Sequence, residues 1–347
     1  MSARGDKEYV DGMLVDWGAS LFNQGSVTTL SGGQGAKGLL PRRSKKAAAG
    51  GVLKERGAIA QSAAMVRSKL GAIARRSPEV MVKITPGAPR GMRQIKRAMD
   101  YISRKGEIDL EDQDGNVLKG KEALSELRDD WQHGGAYIGE ADGKLREAFH
   151  LVLSMPEGTD ELAVRRAVRD FAAREFEGHQ YVMVMHTFDT DPDPEPSKHP
   201  HLHVLVKARG DDAVRLNPRK LDLQRWREGF AEALREHGID AAASNRLQRL
   251  QHKRGEKLAV RQIRESGREL TQAGRSKASP ERLQRAKTLE KHAIEAYRQL
   301  CTVLANSDEV DDRRLAIRLA ERLADGREAV SVKEQLPKQR PEPGMER

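Results

Sequence analysis

The sequence predicts an α+β domain in which a mostly antiparallel central sheet is covered by flanking helices. Two observations support this fold class. Between residues 78 and 240, segments that alternate apolar and polar side chains, as strands do, are interspersed with segments of helical period. Outside that region strand signals nearly disappear, because the N-terminal part is basic and the residues after about 245 are rich in Arg, Lys, Gln and Glu.

Composition limits what the rest of the chain can be. The chain has 347 residues, of which 37% are hydrophobic and 33% charged, so part of it lies outside a dense core. The formal net charge is +10, and residues 1–76 carry 13 Lys and Arg against 5 Asp and Glu. A basic balance favours polyanionic partners such as nucleic acid or an anionic membrane surface.

Two function classes are excluded by residue usage. The chain has one cysteine, Cys301, so neither an internal disulfide framework nor a cysteine-based zinc site is possible within it. No apolar run reaches the roughly 18 residues of a membrane-spanning helix, and we expect no integral membrane segment.

Residues 78–255 are predicted to form a folded domain of short strands and helices that follow one another closely. Thr159 or Asp160 can cap one helix, and Gly238 can end another. The predicted strands are 79–85, 148–155, 180–188 and 201–208, the predicted helices are 90–104, 161–176 and 221–237, and 107–120 is predicted to be a hairpin that turns at Asp114 and Gly115.

The flanking segments are predicted to be simpler. Residues 1–77 are interpreted as a basic, largely flexible leader with a possible helix at 51–76. Residues 256–335 are predicted to be a charged helical region, with one or two helices between 280 and 326. Residues 336–347 are predicted to be a disordered tail. Charge alone suggests that the basic segments at 42–46 and 67–76 and the C-terminal helical region bind flanking DNA or accessory proteins.

The most informative motif is HPHLHV at 199–204. Residues two apart on a strand point to the same face, so His199, His201 and His203 share one face. His186 ends the preceding predicted strand and can close a three-histidine site that leaves positions open for substrate. The alternative is a polar strand face without metal. Imidazole ligands suit zinc, manganese and nickel alike, so they do not identify the ion.

The segment between these histidines is acidic. It can supply a carboxylate ligand or a group that orients a ligand, although most of its charges are expected to be solvated. The acidic residues concerned are Asp189, Asp191, Asp193 and Glu195.

Tyr101 lies near the end of a predicted helix, beside Arg104 and Lys105. A tyrosine phenol is a weak nucleophile with an ordinary pKa of about 10, and nearby cations favour the phenolate and also bind phosphate. From spacing alone, an aromatic side chain at the edge of the core is the simpler interpretation of Tyr101.

Three segments taken together resemble the three motifs of the MOB-P class relaxases, in the same order and at similar spacing. They are VMVKITPGAPRGMRQIKRAMDYISRKGEI, FHLVLSMPEGTD and the His-rich segment. The likeness is greatest to the border-nicking enzymes of Ti plasmids, which belong to the HUH endonucleases, and it runs from about Val80 to about Gly255.

The resemblance implies a role for each matching residue. Tyr101 would attack the scissile phosphate, and Ser154 would bind DNA near the nick. The metal ligands would be His186, His201 and His203. The remaining implied site residues are His199 and Asp189, which would orient or replace a ligand, and Arg104 and Lys105, which would bind phosphate.

Two features depart from the family pattern. The family has H-x-D-x-x-H-P-H-x-H, whereas this sequence reads HTFDTDPDPEPSKHPHLH, so the loop is longer and the acidic residue is displaced by one position. This leaves open whether Asp189 or Asp191 assists the site. The nuclease domain also follows a leader of about 77 residues, whereas these relaxases usually place it near the N-terminus.

The function that the resemblance implies is site- and strand-specific nicking at a transfer origin for conjugative mobilisation, through a covalent 5′-phosphotyrosyl intermediate. The expected ion is Mg²⁺ or Mn²⁺, with Zn²⁺ or Ni²⁺ as alternatives. No nucleotide cofactor is expected, since the chain lacks G-x-x-x-x-G-K-[ST]. The expected partners are single-stranded or melted DNA, accessory relaxosome proteins and a type IV coupling protein, in the bacterial cytoplasm, with export alongside the DNA.

Three other functions fit the same residues. One is an HUH replication initiator or transposase, which would share the chemistry. Another is a histidine-metal hydrolase acting on a substrate other than DNA, for which Tyr101 would be dispensable. The third is a nucleic-acid-binding protein that has lost catalysis. The nick sequence, the native metal and the oligomeric state are not specified by the sequence.

Overall fold

The computed structural model describes residues 6–22, 49–135, 137–249 and 279–335, together with Ile263, Ser266 and Gly267. The chain divides into two compact units. One is the sheet unit, Ser77–Ala243, and the other is the helical unit, formed by residues from Met1–Arg76 and Ser244–Arg347. The predictions made for the basic cluster at 42–46 and for the tail at 336–347 concern residues outside the described ranges.

Helices and strands are numbered in chain order. The helices are α1 (Lys7–Phe22), α2 (Ala49–Ala74), α3 (Met92–Ile102), α4 (Gly120–His133), α5 (Glu161–Glu175), α6 (Lys220–Glu236), α7 (Pro280–Ala305) and α8 (Val310–Gln335), and the strands are β1 (Met81–Ile84), β2 (Leu110–Asp112), β3 (Val117–Leu118), β4 (Ala148–Ser154), β5 (Tyr181–His186) and β6 (His201–Lys207). None of the described helices combines the length and apolarity that crossing a bilayer requires.

The sheet unit is built on one sheet with the strand order β1-β4-β6-β5-β2-β3. Every neighbouring pair is antiparallel. The predicted α+β class with a mostly antiparallel sheet is therefore confirmed. β6 lies at the centre, paired with β4 on one side and with β5 on the other.

Both faces of the sheet are covered, and the alternation along β6 shows how. Leu202, Val204 and Val206 are buried in a core that includes residues of α5 and α6. Leu205 points the other way, into a second core that includes residues of α3 and α4. Burying each such aliphatic side chain contributes about 1.5–3 kcal/mol. The hydrophobic side of β6 therefore fixes which of its residues face α3.

The local sequence signals account for several element ends. Asp160, rather than Thr159, caps α5, because its Oδ1 accepts a hydrogen bond from the Ala163 N–H at 2.7 Å. Gly115 takes a φ of 83° in the turn between β2 and β3, and Gly238 takes 81° after α6. α4 was not predicted, although it buries Leu124, Leu127 and Trp131 in the second core.

The helical unit has its own core, to which α1, α2, α7 and α8 all contribute. Arg67 of α2 lies among these helices, donating to Asp11 at 2.6 Å and to Asp312 at 2.7 and 2.8 Å. α2 overlaps the helix predicted at 51–76, whereas α1 and the shared core were not predicted. The buried side chains of this core include Val10, Leu14, Leu70, Tyr297, Leu300 and Leu319.

Glu111 of β2 is a buried acid in the sheet unit that is held by two arginines of α5. It is 3% exposed and accepts hydrogen bonds from Arg165 and Arg169, each with one contact at 2.8 Å. Burial alone would raise the pKa of Glu111, but the hydrogen bonds from Arg169 and Arg165 outweigh it and hold the pKa below the ordinary value of 4.5.

Glu111→Gln is expected to destabilise the chain by about 1–3 kcal/mol at neutral pH, because the charge-assisted hydrogen bonds are lost. Since the folded-state pKa is lowered, the charge contributes fully above 4.5, and its contribution declines as the pH falls below that value. Urea unfolding should therefore show a difference in the free energy of unfolding between wild type and variant, and this difference should become smaller in acid. A difference in the free energy of unfolding that does not change with pH would contradict this account. Glu126→Gln, an exposed change on α4, should stay within about 0.5 kcal/mol.

Candidate active site

The strand register brings three predicted histidines together on the face of the sheet that is turned toward α3. His186 lies directly opposite His201, and His203 lies opposite Val184 on the same strand pair. One nitrogen atom from each of His186, His201 and His203 can be chosen so that all three lie within 4.8 Å of one another. Nitrogen atoms this close together can contact one metal ion.

Backbone carbonyls fix the orientation of two of these rings. Nε2 of His186 lies 2.7 Å from the carbonyl oxygen of Ile102, and Nδ1 of His201 lies 2.9 Å from that of His199. A carbonyl can only accept, so both of these nitrogens carry the proton. The other nitrogens, Nδ1 of His186 and Nε2 of His201, are left with lone pairs, as ligands require.

The third ring is oriented by His150, a residue of β4 that sequence analysis did not identify. Its Nε2 lies 2.8 Å from Nδ1 of His203, and both side chains are buried. When His203 donates this hydrogen bond, its Nε2 is free to bind a metal. Burial, with the nearby His186 adding to it, lowers the pKa of His203 to about 2 and that of His150 to about 4. Both rings are therefore neutral at neutral pH.

Asp191 places a carboxylate beside this group. Its Oδ2 lies 3.0 Å from Nδ1 of His186, yet that nitrogen is buried and has no hydrogen-bond partner. Burial lowers the pKa of His186, so the ring is neutral and two electron-pair donors face each other. A cation relieves such a contact. The orphaned nitrogen, the carboxylate and the three oriented rings together fit a divalent metal ion.

Tyr101 lies at the rim of the same site. Its ring centre is 5.7 Å from that of His203 and 6.2 Å from that of His150, and the residue is 55% exposed. It precedes Ile102, the last residue of α3, whose carbonyl accepts from His186. The end of a helix leaves carbonyls without partners inside the helix, and here His186 satisfies one of them. The histidine group and the tyrosine are thus held together.

Arg104 connects the tyrosine to Asp191. Its guanidinium donates to both carboxylate oxygens of Asp191 at 2.8 Å and to Asp193 at 3.3 Å, and it lies 5.1 Å from the centre of the Tyr101 ring. Hydrogen bonding from Arg104 lowers the pKa of Asp191 to about 2, so this carboxylate is charged. Arg104 and Lys105 adopt φ angles of 49° and 60°, in the left-handed region.

The structure places the other predicted site residues around this centre. Ser154 lies opposite His201 on β4, and its hydroxyl donates to the Met155 carbonyl at 3.3 Å. Nδ1 of His199 accepts from the Glu157 N–H at 3.0 Å, so His199 is engaged outside the three-histidine group. Lys105 and Asp189 are exposed. Of the two acids that the sequence left open, Asp189 and Asp191, it is Asp191 that lies beside His186.

Part of this region is similar to known proteins. Residues 101–239 match the model of the relaxase family described as the MobA/VirD2-like nuclease domain. The chain is 29% identical over 230 residues to the T-DNA border endonuclease VirD2 of Agrobacterium fabrum, covering 58% of this chain and 50% of that protein. It is 30% identical over 230 residues to the VirD2 protein of Rhizobium rhizogenes, covering 58% and 51%. The chain thus spans about half the length of these relatives.

His150→Leu is expected to weaken binding of Mn²⁺ by about 10–100-fold, because His203 loses the acceptor that orients its ring. Titration calorimetry with purified protein measures this directly. His150→Gln, whose amide oxygen can accept the hydrogen bond, should recover part of the affinity. His292→Gln, at an exposed position on α7, should leave it unchanged. Equal affinities for wild type and His150→Leu would show that His150 does not support the ligand group.

Asp191→Asn is expected to weaken Mn²⁺ binding by about 10–100-fold as well, since the carboxylate beside His186 becomes neutral. Asp193→Asn offers a matched control two residues away, because the Asp193 side chain is 43% exposed and accepts hydrogen bonds from Arg104 at 3.3 Å and from the Glu195 N–H at 3.1 Å, but makes none with His186. The same calorimetric titration compares the two. A loss as large in Asp193→Asn would mean that the general charge of the loop, rather than the position of Asp191, supports the ion.

Proposed function

We propose that this chain, whose residues 101–239 match the model of the MobA/VirD2-like relaxase nuclease domain, nicks one DNA strand at a specific site and becomes covalently attached to it. One observation carries the proposal. An exposed tyrosine, Tyr101, lies beside a largely buried three-histidine group that can hold a metal. The centre of the Tyr101 ring is 5.7 Å from the centre of the His203 ring. A nucleophile and a site for a phosphate-binding cation are therefore adjacent.

The proposed reaction is a transesterification. The hydroxyl oxygen of Tyr101 attacks the phosphorus atom and loses its proton to solvent. The bond between phosphorus and the 3′ oxygen breaks, and that oxygen leaves as a 3′ hydroxyl after taking up a proton. The 5′ phosphate stays on Tyr101 as a phosphotyrosyl ester. One ester replaces another, so no nucleotide hydrolysis is needed and the reverse reaction rejoins the strand.

The residues of the chain have distinct parts in this scheme. When a divalent ion is bound at His186, His201 and His203, it supplies positive charge for the non-bridging oxygens of the phosphate. The guanidinium of Arg104 packs over the Tyr101 ring and is itself fixed by hydrogen bonds to Asp191, so it limits the positions that the ring can adopt. Positioning of this kind lowers the barrier by restricting the reactants to the productive geometry.

The substrate is proposed to be single-stranded or locally melted DNA. The exposed Tyr101 ring stands at the rim of a buried group, so a scissile phosphate has to reach toward the sheet from outside. A strand freed from its complement can do so more easily than a stacked duplex. Lys105 and Ser154 are proposed to contact this strand, and Mg²⁺ or Mn²⁺ is the proposed ion.

The proposed biological setting is a transfer origin, where nicking starts conjugative mobilisation. Accessory relaxosome proteins and a type IV coupling protein are the proposed partners, in the bacterial cytoplasm, with the attached strand passing into a recipient cell. The relatives named T-DNA border endonuclease support this proposal, because their name describes proteins that cut DNA at a defined place.

Tyr101→Phe is expected to abolish the covalent DNA–protein adduct, because it removes only the attacking oxygen. The assay mixes protein and Mn²⁺ with single-stranded oligonucleotides tiled across the transfer origin of its replicon, followed by a denaturing gel. Tyr137→Phe is the matched control, since Tyr137 is also exposed, at 66%. His203→Ala should lower adduct formation at least roughly 100-fold, because metal charge stabilisation is worth several kcal/mol.

A hydrolase that acts on a different substrate would give other results. It would form no adduct with any oligonucleotide while still binding metal at the histidine group. Cleavage that survives in Tyr101→Phe would assign the attack to water or to another side chain, and would contradict the role proposed for Tyr101.

A further inference from the structure

The basic residues at the start of α3 fall into two groups. Arg93 and Lys96 face acidic partners, at 3.7 Å from Asp142 and 2.5 Å from Glu140 respectively. Arg97 forms no ion pair with any other residue in the described ranges, and it is exposed. Arg90, which precedes the helix and is also exposed, likewise has no acidic partner there. Within the described ranges, the positive charges of Arg93 and Lys96 are thus balanced by acids, whereas those of Arg90 and Arg97 are not.

Arg90 and Arg97 line a groove of about 360 Å³, which we call the α3 groove. Its lining contains two guanidinium groups and no acid, as expected for a site that binds an anion. The amide of Gln94, which also lines the groove, donates to Asp142 at 2.7 Å. The backbone at Gly87 and Ala88 forms part of one wall, and Gly87 has a φ of 79°, which favours glycine. The lining residues are Gly87, Ala88, Arg90, Gln94 and Arg97.

The α3 groove is aligned with the proposed nucleophile. Arg97 precedes Tyr101 by four residues, so the two share a face of α3 and lie about 6 Å apart along its axis. The opposite wall is formed by Gly87 and Ala88, which come shortly after β1 in the chain. Between them and β1, the Thr85 N–H donates to the carbonyl oxygen of His150 at 2.8 Å. Both walls of the groove are therefore tied to elements that carry residues of the site.

We propose that the α3 groove binds backbone phosphates of the nicked strand next to the scissile phosphate, with Arg97 contacting the nearer one and Arg90 a more distant one. This inference rests on the proposed function. Successive phosphates in a strand are spaced by roughly 3.4 Å along a duplex axis and by more when the strand is extended. The distance of about 6 Å between Arg97 and Tyr101 along the helix therefore corresponds to one or two nucleotides.

The chemistry of the groove selects for phosphate rather than for base sequence. A guanidinium can donate two parallel hydrogen bonds to phosphate oxygens, which lysine cannot reproduce. Contacts to the backbone fix the position and register of a strand without reading its sequence. The α3 groove would therefore set which phosphate lies at Tyr101, while other contacts choose the sequence.

The first test measures binding by fluorescence anisotropy, with a single-stranded oligonucleotide that spans the nick site. Protein carrying Tyr101→Phe is used so that no cleavage occurs. Adding Arg97→Gln should weaken binding roughly tenfold, and the slope of log K against log salt should fall by about 0.7. Arg93→Gln is the matched control, because it removes one positive charge from the same helix. The charge of Arg93 is already balanced by Asp142. The effect of Arg93→Gln should stay below about twofold.

A second test locates the contact. Single phosphates on either side of the nick are replaced one at a time by uncharged methylphosphonates. One position beside the scissile phosphate should weaken binding to protein with Arg97 intact, and the same replacement should have no effect when Arg97→Gln is present. Arg97→Lys should restore only part of the affinity. Circular dichroism and the thermal midpoint, unchanged for these exposed substitutions, show that each variant is folded.

The outcomes separate the inference from the function on which it rests. If Arg97→Gln and Arg93→Gln weaken binding equally, or if no methylphosphonate position couples to Arg97, the α3 groove is not a phosphate site, even though the wild-type chain forms its adduct. If the wild-type chain forms no adduct with any oligonucleotide, the proposed function itself fails.

Discussion

The antiparallel pairing of β6 with β4 on one side and β5 on the other is the constraint on which the site depends. It places His201 opposite His186 and also opposite Ser154, so one strand aligns groups from both neighbours. The register is itself held by burial of Leu202 and Val204, because a shift by one residue would turn these side chains toward α3 and the histidines into the apolar core. The hydrophobic core thus determines which residues of β6 join the histidine group.

A second link joins the histidine group to α3, the helix that carries the proposed nucleophile, Tyr101. His186 donates to the last carbonyl of α3, and Arg104, just beyond that helix, binds the carboxylate of Asp191 beside His186. A neutral imidazole, a charged carboxylate and a guanidinium are buried or partly buried here, and each makes at least one hydrogen bond. Such networks are costly when incomplete, so α3 and the histidine group are expected to be stable in one arrangement.

Much of this could be predicted from the sequence. Period-two alternation indicated β6 and its histidines, and the strand that ends at His186 followed from its apolar run. His150 could not be found in the same way, because a single histidine in a strand gains meaning only from the register that sets it against His203, 53 residues away. The choice of Asp191 over Asp189 could not be made either, because it depends on Arg104, which lies 87 residues earlier in the chain. Helix α1 was missed because the side chains that cover it come from distant helices of the same core.

The central claim is that Tyr101 and the histidine group form one nicking site, and peptide mapping of the covalent adduct tests it most directly. After nuclease trimming, trypsin should cut at Arg97 and Arg104, which leaves a peptide with one tyrosine, Tyr101. The account predicts that this peptide carries the nucleotide remnant by mass spectrometry, and that the modified peptide is absent when His203→Ala protein or a chelator is used. A remnant on any other peptide, or one on Tyr101 that forms equally well without metal, would contradict it.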